Sequence, residues 1–200
     1  ATYVQSAKGN GASLTRSVSF PASTTVGNLI VVSAGWTSST ATATVADSQS
    51  NVYQSAVGPA VNGSVRSQIW YAQSNVGGAN TVTVTFSASV GHNVLIHEYS
   101  GMAASNSLVA VSSAIGSGTA LNSGSAVSSS AGDLIFGYGN TSATVAWTAG
   151  SGFILRQSMN RGASEDQIAA GASSYATTLT ASVSGSWTAL LAIFRASSGS

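Results

Sequence analysis

Two stretches of this chain begin alike and stay alike. GNLIVVSAGW at 27–36 matches GDLIFGYGNT at 132–141, and ATVADSQSNVYQ at 43–54 faces ATVAWTAGSGFILRQ at 143–157. RSQIWYA at 66–72 faces EDQIAAG at 165–171, and TVTVTFSASVGHNVLIHEYS at 81–100 faces TTLTASVSGSWTALLAIFRA at 177–196 with a gap. A repeat of roughly ninety residues is longer than a hairpin and reads as one supersecondary unit used twice. The sequence thus predicts a single domain over 1–200 built from two diverged copies, at about 3–101 and 107–196.

The unit is all strand. Val82, Val84 and Phe86 alternate with Thr81, Thr83 and Thr85, and Leu14, Arg16, Val18 and Phe20 alternate with Thr15, Ser17 and Ser19. Leu179, Ala181 and Val183 repeat the pattern. Such strands have one dry and one wet face. The runs at 29–34, 94–96, 134–136 and 189–194 are apolar on both faces and read as central strands. Gly, Asn and Ser clusters punctuate the chain every ten residues or so, which is the spacing of a sandwich or barrel. The expectation is an all-β, two-sheet antiparallel sandwich of about twelve to fourteen strands, jelly-roll-like, with each copy spanning both sheets. Residues 102–122 join the copies, and Leu108–Val111 adds a strand.

Charge narrows the function. Asp, Glu, Lys and Arg make up 6% of the chain, against about 25% in an ordinary soluble domain. The six cations are scattered in sequence, so the clustered phosphate contacts of a nucleic-acid binder are not expected. No apolar run is long enough to span a membrane. There are no cysteines, so neither disulfides nor thiolate metal sites arise. The tail SSGS, 197–200, reads as the start of a linker. A neutral polar surface suits a neutral polar ligand, and binding through it is expected to respond little to salt.

Catalysis has little to work with. The carboxylates are Asp47, Glu98, Asp133, Glu165 and Asp166, and the histidines His92 and His97. Glu165 and Asp166 are adjacent, so on a strand they point to opposite faces. No nucleophile elbow, HExxH or P-loop is present. The expectation is a protein that is not an enzyme and requires no cofactor. Asp47 and Asn51, in Asp-Ser-Gln-Ser-Asn, are the candidate ligands of a structural calcium ion, since a tight loop can offer several oxygens. A plain Asx-turn explains them equally well.

The aromatics carry the binding expectation. Trp36 faces Thr141 in the repeat, and Trp70 faces Ala169, so neither ring is demanded by the shared unit. Trp70 alternates with Arg66 and Gln68, opposite in parity to Ile69 and Tyr71. An exposed ring between hydrogen-bonding side chains suits a sugar. The candidate carbohydrate-binding residues are therefore Trp70, Arg66 and Gln68, extended by Trp36 and Tyr53.

GNLIVV, VADSQSNVY, IWYA, GGANTVTVTF and EYSG together resemble β-sandwich modules found in multidomain extracellular proteins of soil bacteria. The resemblance covers about residues 3–195. It implies an extracellular accessory to polysaccharide-active enzymes or to surface adhesins. Two functions are thus expected: a secreted, non-catalytic module binding polysaccharide, or a structural or adhesive subunit that self-associates through sheet edges.

Overall fold

The computed structural model describes residues 1–197; the rest of the predicted linker tail lies outside the described residues. The first half of the chain forms β1 (Thr2–Ser19), β2 (Leu29–Thr37), β3 (Ala43–Asp47), β4 (Gln54–Asn62), β5 (Val65–Ala72) and β6 (Thr81–Ser100). The second forms β7 (Leu108–Ala120), β8 (Ala126–Val127), β9 (Leu134–Thr141), β10 (Trp147–Thr148), β11 (Ile154–Ser158), β12 (Gly162–Ile168), β13 (Ser174–Tyr175) and β14 (Thr180–Phe194). There is no helix among the described residues.

The protein is all-β, with two antiparallel six-stranded sheets stacked as a sandwich. One runs β1-β6-β2-β5-β4 with β3 also on β6; the other runs β7-β14-β9-β12-β11 with β10 also on β14. β8 and β13 pair separately. The strand orders are the same, and GNLIVV and GDLIFG enter equivalent strands, β2 and β9. β1 lies against β11, and β7 lies against β4. In strand order β7 thus holds the place of β1, and β11 that of β4.

One expectation needs correction. The halves do not each span both sheets. Each supplies one whole sheet, and the chain passes between the two large sheets only after Ser100, so the interleaving of a jelly roll is absent. The reason lies in the long strands. β6 pairs with β3 through Val82 to Phe86, and with β2 only from His92 onward. Between these stretches Ser13–Thr15 faces Val90–Thr85, so several residues of β6 lie opposite one of β1. Such a bulge bends a strand. The bent ends fold Val82, Val84 and Phe86 over the outer face of their own sheet, onto Val32, Trp36, Trp70 and Ile96. β14 has the matching shift between Thr180 and Gly185, and Leu179 and Ala181 cover Trp187 and Ala189. The bulges also break the predicted alternation: Leu14 and Val183 sit in them, and each is 51% exposed.

The shared core lies between the sheets, where Leu29, Val31, Ile69, Tyr71, Leu95 and Tyr99 meet Leu134, Phe136, Tyr138, Leu190 and Phe194. Polar pairs cross it too. His97 meets Ser164 at 2.8 Å, Tyr99 donates to Asp166 at 2.7 Å, and Asn93 donates to Asn140 at 3.1 Å. Buried polar groups of this kind are tolerated because they are paired.

Candidate functional site

The predicted aromatic platform is not a surface. Trp70 is 5% exposed and Trp36 1%, and the rings stack at 6.5 Å beneath the folded-over strands. The parity argument holds, since Ile69 and Tyr71 face the shared core while Trp70 faces the other way. That other face is covered too. Arg66 donates to the carbonyls of Ser38, at 2.9 Å, and Ser39. Gln68 donates to Ser55 at 2.9 Å. Tyr53 packs against the same core and donates to Asp47 at 2.9 Å. In the paired registers Trp70 lies beside Val32 and Glu165 beside Gly137, so the counterpart of Trp70 is Glu165, not Ala169.

The calcium loop is a turn clamp. Asp47 accepts from the amides of Gln49 and Asn51, and from the side chains of Asn51, Tyr53 and Asn80, all between 2.8 and 3.1 Å. Burial raises its pKa, but these donors outweigh burial and hold it below the usual carboxylate value. Asn51 turns its NH₂ toward Asp47, and its oxygen accepts from Val76. Donors therefore converge at the carboxylate, the arrangement of an Asx-turn.

The remaining carboxylates are buried acceptors. Glu98 takes Gln5, Thr25 and Asn28. Asp133 takes Ser128, Ser129, Ser130 and Ala196. Glu165 takes Gly150, Thr177 and Thr178. Asp166 takes Tyr99 and pairs with Arg156 at 2.8 Å.

A cleft of about 300 Å³ opens where β2 and β9 end side by side, at the low end of the range for ligand pockets. Trp36 and Thr37 come from β2, Asn140 and Thr141 from β9, Asn10 from β1, His92 and Asn93 from β6, and Met159, Asn160 and Arg161 from the turn between β11 and β12. Met159, half-buried, gives it an apolar wall, with Trp36 and Val65 all but covered behind it. Asn93 and Asn140 form a fixed polar floor, because they bond each other and take Tyr138 and the Arg66 carbonyl as further partners. A side chain at Gly35 would overlap Asn140, so the glycine lets this floor form. His92 bonds Ser13 at 3.0 Å and stacks on Phe86. Burial, and then the charge of Arg16, lower its pKa, so it is neutral at pH 7.

The outer residues differ. Asn10, Asn160 and Arg161 are exposed. Among the described residues the amides of Asn10 and Asn160 make no hydrogen bond, and Arg161 makes one, of 3.3 Å, to Thr37. The 159–161 turn that carries two of them is pinned from behind. The carbonyls of Ser158, Met159, Asn160 and Arg161 accept from Lys8, Trp147, Val145 and Thr141 at 2.8–2.9 Å. The backbone is thereby satisfied inward and the side chains are free to bind outward. In sequence, MNRG reads only as turn chemistry, and nothing in it separates a turn former from a ligand-facing amide. Of the residues expected at a binding site, only Trp36 lines this cleft.

No protein-family model matches the chain, and no curated protein or solved structure matches it either.

Proposed function

We propose that the protein is an extracellular, non-catalytic module that binds a saccharide in the cleft at the ends of β2 and β9, not on a Trp70 platform. The observation that supports this is the pairing, in one preformed cleft, of an apolar wall with unpaired neutral amides. Pyranose C–H faces pack on apolar surface while amides exchange hydrogen bonds with hydroxyls. Met159 supplies the first, backed by the all but covered Trp36 and Val65, and Asn10 and Asn160 supply the second. Every carboxylate is held as a structural acceptor, which favours binding over hydrolysis, since glycoside hydrolysis uses two positioned carboxyl groups. Assembly through sheet edges has weaker support. The edge strands β1, β4 and β11 all carry register shifts, and β4 carries Pro59, features that blunt edge pairing.

The test is a glycan panel, neutral and acidic, probed with the wild type and with Asn10→Ala/Asn160→Ala. Each lost hydrogen bond contributes about 0.5–1.5 kcal/mol, so the double variant is expected to bind roughly tenfold more weakly with unchanged melting temperature. A wild type retained by no glycan would leave self-association as the reading to pursue, checked by light scattering.

A further inference from the structure

The net charge of +1 conceals how charge is distributed. Glu98, Asp133, Glu165 and Asp166 are buried, and Asp47 is enclosed by its own donors. Among the described residues the charge accessible to a ligand is therefore carried by cations. Three of them gather around the cleft. Arg161 lines it. Lys8 bonds the carbonyl of Ser158, next to Met159. Arg16 lies against Gly11, which lines the cleft and where a side chain would overlap its guanidinium. No Asp or Glu is among the cleft residues.

Arg161 also has an internal control. Arg66 pairs with Trp36, and the Arg161 carbonyl accepts from the Thr141 amide; Trp36 and Thr141 are equivalent positions of β2 and β9, so the two arginines are equivalent as well. Arg66 uses its guanidinium to hold the carbonyls of Ser38 and Ser39. Arg161 has no such duty. Its single bond to Thr37 leaves most of five donors unused, in a fork that matches a carboxylate. The same residue closes a loop in one half and is presented to the cleft in the other.

We infer that the saccharide bound here is acidic, a uronate-containing chain whose carboxylate sits on Arg161 while Asn10 and Asn160 take hydroxyls. This rests on the saccharide-binding reading above and replaces the expectation of a neutral ligand that responds little to salt. Lys8 and Arg16 add positive potential at the site without touching the carboxylate.

The experiment compares, by calorimetry, a short galacturonate oligomer, its methyl ester and the corresponding neutral galactose oligomer, at low and high salt. The acid is expected to bind about tenfold more tightly than the ester, since a charge-assisted bond is about twice as strong as a neutral one, and added salt should narrow that gap. Arg161→Gln should bring acid and ester to equal affinity while the melting temperature holds. Asn160→Ala should weaken both alike. Equal binding of acid and ester by the wild type, or an acid preference that survives Arg161→Gln, overturns the acidic assignment and leaves saccharide binding standing. Binding of none of the three probes, with neutral glycans of the wider panel retained, does the same. No saccharide bound of either kind overturns both readings. Sulfate binding by the wild type that is lost in Arg161→Gln would in that case mark a simple anion site.

Discussion

His97 shows what burial does to a single group. It lies fully buried between the sheets, bonded to Ser164 and stacked near Tyr99 and Phe136. Burial brings its pKa down to about 3, against a pull upward from the Val31 carbonyl, and the charge of Arg156 adds to the lowering. The native state therefore holds it neutral, while the unfolded chain protonates it below its ordinary value of 6.5. Between those values the unfolded state binds the extra proton, so stability falls as pH falls, by up to about 1.4 kcal/mol per pH unit from this residue. His92 acts with the same sign, and Glu165, raised by burial, with the opposite sign above 4.5. Urea unfolding at pH 7.5, 6 and 5 should show the wild type losing stability faster than His97→Asn; parallel slopes would remove His97 from the account. Its neighbour in sequence is Glu98. The pleat sends them to opposite faces, His97 to Ser164 and Glu98 to Gln5 and Asn28, and alternation alone was enough to see it.

At the scale of elements, strands and core were readable because alternation is a local signal. Val82, Val84 and Phe86 announced a dry face, and β2 and β9 announced burial on both faces. What a dry face packs against is a long-range fact, and there the reading went astray. Nothing within TVTVTF says that it turns back over its own sheet, yet that turn buries Trp70 and removes the predicted platform. Bulges such as those at Leu14 and Val183 carry no mark in this sequence beyond an apolar residue in a polar stretch. The 159–161 turn was hidden for the same reason: its order comes from Lys8, Trp147, Val145 and Thr141, all distant in sequence or on another strand. Trp147 offers the sharpest test of that order, because its Nε1 donates to the Met159 carbonyl from behind the cleft. Trp147→Phe keeps the ring and strands the carbonyl. It should lower stability by about 1–3 kcal/mol and weaken saccharide binding several-fold without removing any ligand contact. Unchanged affinity in the face of lowered stability would show that the turn does not need this pin.

The whole molecule is held by three apolar layers, one between the sheets and one outside each. The outer layers are internal to each half and so are no reason for the halves to stay together. The middle layer is different. Leu29, Val31, Ile69, Tyr71, Leu95 and Tyr99 on one side are buried only because Leu134, Phe136, Tyr138, Leu190 and Phe194 oppose them. Apolar patches of this extent are rarely left open to water on a soluble monomer. The cleft draws on both halves as well, with Trp36, His92 and Asn10 from one and Asn160 and Arg161 from the other. A fragment ending after Gly101 should therefore retain its strands, through its own outer layer, but lose saccharide binding. It should also pair or aggregate through the exposed inner face, as read by light scattering beside circular dichroism. Its partner in a soluble pair would be a second copy, since this face already meets a sheet of the same strand order. A fragment that stayed monomeric with a cooperative melt would show the middle layer to be dispensable, and the two sheets to be independent bodies that share a cleft.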